Sequence, residues 1–376
     1  MRVAIVHEWL TFFAGSEKVL AEMLKVFPDA DLFAVVDFLP DDQRPLLGGK
    51  HARTTFIQKL PRARAKYRSY LPLMPLAIEQ LDVTGYDLVI SNSHAVAKGV
   101  LTAPHQLHVC LCHSPIRYAW DLQHQYLRGA GLDRGIKGML AKTMLHYIRQ
   151  WDARTANGVD RFIAISQFVA GRIAKAYRRE STLLPSPIEV AKFPLQTRKG
   201  SHYLAASRMV PYKRMDMIVR AFRQMPHLHL RVAGDGPHAP AVRREAKGAA
   251  NIEFLGVLSD ERLAEEMGQA GGFVFAAVED FGLMPLEAMA TGTPVIALNA
   301  GGTRETVLPG KTGVLYDQQT PESLIAAVEE FQRQRDRFRP ADVRAQAERF
   351  DIAPWREKFR ALVMEAWESF RPDGRG

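Results

Sequence analysis

Short apolar runs alternating with longer helical patterns constrain this chain more than any other feature of its sequence. Runs at residues 2–6, 32–36, 88–90, 108–111 and 162–165 are each followed by a stretch of helical periodicity. The alternation restarts at 203–206 and continues at 228–233, 252–255, 272–275, 294–297 and 313–316. Strands and helices that alternate in this way assemble into parallel sheets covered by helices. At 376 residues the chain exceeds the roughly 250 to 300 residues over which a single core grows. Two α/β domains with Rossmann-like parallel sheets are therefore expected, facing one another across a cleft.

The segment LPSPIEVAKFPLQTRKG, from Leu184, carries three prolines and little periodicity, as a linker does. It places the boundary near residue 195, giving domains of residues 1–195 and 196–351. A last amphipathic pattern, Trp355, Phe359, Leu362, Val363 and Trp367, reads as a helix over about 352–376. That helix is expected to return to the first domain, with a simple closing helix of the second domain as the other reading.

Hydrophobic residues form 47% and charged residues 24% of the chain, which excludes a disordered or fibrous protein. The net charge of +9 calls for an anionic partner: nucleic acid, an anionic membrane surface or a phosphorylated substrate. The apolar start MRVAIV stops at His7 and Glu8, short of a signal h-region, and no run reaches the roughly 18 apolar residues of a membrane span. Cys110 and Cys112, the two cysteines, lie too close on a strand to bridge readily. These features together lead to the expectation of a cytoplasmic protein, neither secreted nor integral to a membrane.

In open α/β sheets ligands bind beyond the carboxyl ends of the strands, and the polar motifs fall there. Glu279 follows the strand in GGFVFAAV; Phe281 and Gly282 lead into a helix whose first turn accommodates Pro285 and which carries Glu287. A helix start offers N–H groups and partial positive charge to a diphosphate, while two carboxylates can each accept from a vicinal diol. Read singly, Glu287 is also a favourable acid in a first helical turn and Glu279 a surface loop residue. SRMVPYKRMD places Arg208 and Lys213 after the strand YLAA, where a planar fork and a compact cation can neutralise a diphosphate. A basic loop on a basic protein is the other reading.

VCLCHSPIRYAWD puts His113 directly after a strand, followed by Arg117, Tyr118 and Trp120, whose aromatic faces suit an acceptor sugar. His94 joins these as an acceptor-side candidate. Gly15 and Ser16 stand at a turn into the first helix, where backbone N–H groups can approach a phosphate or sugar. Residues 50–70 carry Lys50, Arg53, Lys59, Arg62, Arg64, Lys66 and Arg68 with no acid, interleaved with Phe56, Leu60, Tyr67 and Tyr70. Such a segment can dock on an anionic leaflet with its apolar groups in the interface, or form a solvated basic face.

Several matches fail. No GxGxxG follows the first strand, and PGKTG lacks the upstream glycine of a phosphate loop, since Glu305 stands there. Asp29 and Asp31 precede a strand and read as a turn rather than a metal-binding pair. Cys110, Cys112 and His113 have no second ligand pair at a metal-site spacing. No motif of a nucleic-acid-binding fold is present, and no nucleic-acid partner is expected.

Taken together, SRMVPYKRMD, VAGDGPH, NIEFLGVLSDERL, EDFGLMPLEAMATGTPVIA and AGGTRETV resemble the retaining glycosyltransferases of family 4, which have the GT-B fold. The resemblance covers nearly the whole chain. It implies an N-terminal acceptor-binding and a C-terminal nucleotide-sugar-binding domain. It further implies that Glu279 contacts the donor sugar, Glu287 the ribose and Arg208 and Lys213 the diphosphate. The backbone at Phe281, Gly282 and Leu283 would meet the distal phosphate, Gly234 would lie in a donor-side turn and Leu258 in the segment contacting the base. His113 looks like the family's histidine near the reacting carbon. HSPIRYAWD is similar to mannosyltransferases of O-antigen and exopolysaccharide assembly, which use GDP-mannose and a lipid-linked acceptor. One departure is Ala14-Gly15-Ser16-Glu17, where many relatives have Gly-Gly before the glutamate.

The resemblance thus implies metal-independent, cofactor-free hexosyl transfer with retention. Front-face attack, in which the departing phosphate takes the acceptor proton, is the implied route, since no carboxylate pair for double displacement is evident. A UDP-sugar-dependent transferase of the same family, a nucleotide-sugar epimerase and a noncatalytic basic membrane- or nucleic-acid-binding protein are the competing readings.

Overall fold

The computed structural model describes residues 1–370. It divides into two compact units: one of Met1–Pro185 with the chain from Trp355 onward, the other of Ser186–Pro354. The division falls at Pro185, inside the proline-rich segment and about ten residues ahead of residue 195. The last helix, Ile352–Ser369, carries Trp355, Phe359, Val363 and Ala366 on its buried face. Phe359 meets Phe27 edge-on at 6.2 Å, and Arg356 pairs with Glu22; Glu22 lies on the helix Gly15–Val26 of the first unit and Phe27 caps its end. The remainder of the helix expected over 352–376, residues 371–376, lies outside the described residues.

The first unit is a seven-stranded parallel sheet of Val3–Leu10 (β1), Asp31–Asp37 (β2), Arg53–Thr54 (β3), Leu88–Ser93 (β4), Leu107–Cys112 (β5), Arg161–Ala164 (β6) and Thr182–Leu183 (β7). Its order is β3-β2-β1-β4-β5-β6-β7. The second is a six-stranded parallel sheet of Tyr203–Ala206 (β8), Leu230–Ala233 (β9), Ile252–Gly256 (β10), Gly272–Phe275 (β11), Val295–Leu298 (β12) and Gly313–Tyr316 (β13). Its order is β10-β9-β8-β11-β12-β13. The α/β class expected from the alternation is observed in both units. Central strands such as β8, β11 and β12 are buried along their whole length, which is why they read as continuous apolar runs rather than as alternating ones.

Three differences from the sequence reading have physical reasons. The edge strands β3 and β7 are two residues long, too short for any periodic signal. Strand β1 continues four residues past Val6, through His7 and Glu8, both completely buried. Polar residues end a strand in sequence reasoning because burying them unpaired is costly, but here each has partners. Asp31, read as part of a turn, opens β2 and accepts from the Tyr86 hydroxyl at 2.5 Å.

In each sheet the chain reverses its direction of travel once. The crevice at the carboxyl ends opens between β1 and β4 in the first sheet and between β8 and β11 in the second, the positions where doubly wound sheets hold ligands.

Candidate functional site

In the second unit, Arg208 and Lys213 follow β8 and Glu279 follows β11, so the two loops flank the reversal point of that sheet. Lys213 Nζ forms an ion pair with Glu279 Oε1, and the two side chains are only 12% and 18% exposed. Lys213 also lies 5.4 Å from the centroid of Tyr212 and 5.8 Å from that of Phe275. The loop is set by the 3-10 turn Pro211–Lys213, which begins with proline and ends at Arg214 in the left-handed conformation (φ 53°). That non-glycine strain is held by Arg214 Nη1 donating to Gln319 Oε1 at 3.0 Å, while Gln319 Nε2 donates to the Ala276 carbonyl at 2.8 Å. Arg208 is exposed, and among the described residues no hydrogen bond or ion pair engages its guanidinium.

Glu279 is held from behind. Gly302 N donates to the Glu279 carbonyl at 2.8 Å, and Gly301 bridges to Glu279 as an isolated β-pair. A Cβ on Gly302 would stand 2.3 Å from the Phe281 backbone, so the glycine pair in AGGTRETV is the seat on which the 279–282 loop rests. The following helix, Leu283–Ala290, starts from Gly282 (φ 86°) with no side-chain cap. The helix places Pro285 in its first turn and Glu287 one turn on. Phe281 is buried against Phe350, ring centroids 5.7 Å apart.

Two donor-side candidates sit further along the same edge. Gly234 follows β9; its N–H goes to the Gly256 carbonyl, and a Cβ there would meet the Ser207 carbonyl at 2.0 Å. Its role in this structure is to let the neck of the Arg208 loop pass closely. Leu258 is half-buried between β10 and the helix Asp260–Gln269. Strand β10 is two positions from β8, about 10 Å at ordinary strand spacing.

The first unit gathers its polar residues at the β1/β4 reversal point. Asn92, near the end of β4, donates through Nδ2 to the Ser16 carbonyl at 3.0 Å, and that contact fixes the orientation of its amide. The same Nδ2 is 3.1 Å from His7 Nδ1, which must then accept, so His7 Nε2 carries the proton and donates to Glu17 Oε1 at 3.3 Å. On its other side Asn92 Oδ1 accepts from His113 Nε2 at 2.6 Å. His113 is therefore protonated at Nε2 and presents Nδ1 as an acceptor. Burial, then the nearby His94, His7 and Arg117, hold its pKa well below the ordinary 6.5, so the ring is neutral at pH 7. Asn92→Leu is expected to lower turnover about tenfold, the equivalent of one net hydrogen bond, with the fold retained; an unchanged pH profile and rate would refute the assignment.

His94 lies beside His113, ring centroids 6.4 Å apart, and edge-on to Trp9 at 4.9 Å. Its Nδ1 is buried without a hydrogen-bond partner among the described residues. Its position depends on Glu8, which the sequence reading treated only as the end of an apolar run. The Glu8 carboxylate accepts from the backbone N–H of His94 (2.9 Å), Ala95 (2.7 Å), Val96 (2.8 Å) and Ala97 (3.2 Å), and from Ser93 Oγ (3.0 Å). Glu17 caps the first helix by accepting from Ala14 N at 3.2 Å. Ala14 is extended (φ −137°), so the absence of a glycine there costs the backbone nothing.

Tyr118 and Trp120 both pack on the cluster of Ile116, Ala119, Leu127, Leu145 and Ile148, and the Glu8 charge also reaches the Tyr118 hydroxyl. The Trp120 indole N–H donates to Asp152 Oδ2 at 2.7 Å, and Asp152 is also the buried partner of Lys98 (2.8 Å). Burial pushes the Tyr118 hydroxyl pKa up. Cys110 and Cys112 are buried free thiols. Glu8, Asn92 and His7 were missed because nothing in their local sequence shows that β1 and β4 are adjacent.

Comparison with known proteins assigns the family. The family model described as Glycosyltransferase Family 4 matches residues 13–192, and the one described as Glycosyl transferases group 1 matches residues 189–349. The chain belongs to the family 4, group 1 glycosyltransferases. A GDP-mannose-dependent alpha-(1-6)-phosphatidylinositol monomannoside mannosyltransferase of Mycolicibacterium smegmatis is 29% identical over 215 residues, 50% of this chain and 56% of that protein. A glycogen synthase of Mycobacterium tuberculosis is 26% identical over 51% of this chain and 49% of its own length. The matched stretch thus spans about half the length of these relatives. Among solved structures, sucrose-phosphate synthase of Thermosynechococcus elongatus superposes with a TM-score of 0.76 at 18% identity, covering 98% of this chain and all of that one. Anabaena HepE in complex with UDP gives 0.72 at 17%, covering 97% and 100%. These likenesses establish the GT-B fold of this family member.

Proposed function

We propose that the protein transfers a hexose, mannose from GDP-mannose, onto a sugar hydroxyl of a lipid-linked glycan precursor with retention at the anomeric carbon. The observation that carries the transfer chemistry is the Lys213–Glu279 pair at the β8/β11 reversal point, beside the helix that starts at Gly282. In this reading Lys213 and Arg208 take the diphosphate, with the N–H groups at Phe281, Gly282 and Leu283 on its distal phosphate. Glu279 accepts from the donor sugar, Glu287 from the ribose, and the base lies toward Leu258. Charge developing on the departing diphosphate is met by fixed cations and helix N–H groups rather than by a metal. That phosphate takes the acceptor proton.

From the first unit, His113 contributes Nδ1 as an acceptor for a sugar hydroxyl, and His94, Arg117 and the Tyr118 face serve the acceptor. Trp120 anchors this region through Asp152. Gly15 and Ser16 open the helix whose start Asn92 ties to β4. The mannose and lipid parts of the proposal are supported by the names of relatives such as the mycobacterial enzymes.

Saturation-transfer NMR with GDP- and UDP-sugars tests the donor. Enhancement on GDP-mannose is expected, and preference for a UDP-sugar would overturn the mannose part while leaving the transfer reading intact. Product analysis with and without acceptor separates transfer from epimerisation. Turnover is expected to persist in EDTA; loss restored by a divalent ion would refute metal independence.

A further inference from the structure

We propose that the helix Gly135–Thr155 of the first unit is an interfacial element that seats the protein on an anionic lipid surface, independently of the donor chemistry. One side of this helix is packed: Gly138, Leu145, Ile148 and Asp152 are buried. Gly138 approaches so closely that a Cβ would meet the Leu132 carbonyl at 2.9 Å. The opposite side is not covered. Ile136 is 74% exposed, Met139 61%, Leu140 62% and Tyr147 51%. At 100° per residue these four fall within one face, together with Thr143, whose hydroxyl is turned to the Met139 carbonyl at 3.1 Å. A stripe about 17 Å long is thereby left apolar, on a docked helix, facing outward.

Charge chooses the occupant. From Arg134 to Trp151 the sequence holds Arg134, Lys137, Lys142 and Arg149 and no Asp or Glu. By the helical angle, Lys137 falls on one flank of the stripe and Lys142 and His146 on the other. Apolar side chains between two cationic flanks match the boundary between acyl chains and anionic headgroups. A second copy of this chain would satisfy the stripe, but a two-fold contact would set the cations of one helix against those of the other. Nucleic acid would satisfy the cations and leave the stripe in water.

The basic segment 50–70 offers little apolar surface for insertion. Tyr67 is buried, Leu60 and Tyr70 pack on the first unit's core, and Phe56 is its one large apolar side chain that is exposed. Leu71, just beyond it, packs against the cluster beneath the helix, and Arg68 acts electrostatically on Tyr118 of that cluster. The sequence reading assigned both attraction and insertion to residues 50–70; the exposed apolar side chains stand instead on the helix.

The test is co-sedimentation of the full chain with phosphatidylcholine vesicles, with and without phosphatidylglycerol. Wild type is expected to bind the anionic vesicles. Lys137→Gln with Lys142→Gln is expected to weaken binding about thirtyfold, and Ile136→Ser, Met139→Ser and Leu140→Ser together to abolish it. All these side chains are exposed, so the melting temperatures of the variants should match that of wild type. A Tyr147→Trp variant gives a second readout: its added fluorescence should be quenched by brominated lipid in anionic vesicles. Absence of binding by wild type, undiminished binding by the triple variant, or a solution dimer that the triple variant dissolves would each overturn the proposal. Donor turnover measured without vesicles is a separate result, and its failure would not bear on this one.

Discussion

Replacing Lys213 by methionine is expected to lower turnover by about a hundred- to a thousandfold, the range seen when one preorganised donor to developing negative charge is removed. Arg208→Ala belongs to the same range. The two differ in their structural consequence. Arg208 is exposed, so its loss should leave the melting temperature unchanged. Lys213 is largely buried against Glu279, and its loss leaves a carboxylate without its counter-charge. Adding Glu279→Gln to Lys213→Met is expected to recover stability but not turnover. A double variant that regains both would show that the pair is only a structural ion pair, and full activity of either cation variant would remove the diphosphate assignment.

Glu8→Gln is expected to cost about 3 to 5 kcal/mol of stability, because it leaves a buried cradle of four backbone N–H groups facing an amide instead of a carboxylate. The pH dependence follows from the direction of the Glu8 shift. Burial alone would raise its pKa, but the charge interaction with His94 and the backbone donors of Val96, Ala95 and His94 outweigh that and hold it below 4.5. The unfolded chain therefore takes up the proton first. The stabilisation is complete above the unfolded value and is lost as pH falls through the lower folded one. Urea titrations at neutral and at acid pH should show the variant penalty largest at neutral pH and shrinking on acidification. A Glu8→Gln protein that melts with the wild type would refute the cradle's role, and with it the account of how His94 is held.

How much of this was legible beforehand differs between the two units. In the second, the recognition sequences are contiguous, and Glu279, Gly282 and Glu287 can be read as a post-strand loop and helix start because local chain geometry fixes that arrangement. The AGG step was visible as a pattern, but not as the support under Glu279, since that needs the register of β11 against β12. In the first unit, His113 was found by its place after a strand. Asn92, His7 and Glu8 were not, since their partners lie between 10 and 89 residues away. Trp120 looked like a sugar platform beside His113, yet its indole N–H is spent on Asp152, 32 residues on. Polarity within β1 was read as an end because a sequence shows the cost of burying a group and not the partner that removes it.

By itself, the sequence determined the α/β class, the two-part organisation, the family motifs and which residue types follow which strands. These are properties of local periodicity and local turns, which need no distant partner. Only the tertiary structure decided that β8 lies beside β11 and β1 beside β4. That adjacency joins Lys213 to Glu279, fixes the proton of His113 through Asn92, and seats the Glu8 carboxylate on the backbone of residues 94–97. The order of strands in a sheet is set by which buried faces pack together across the whole chain, and no window of sequence contains that information.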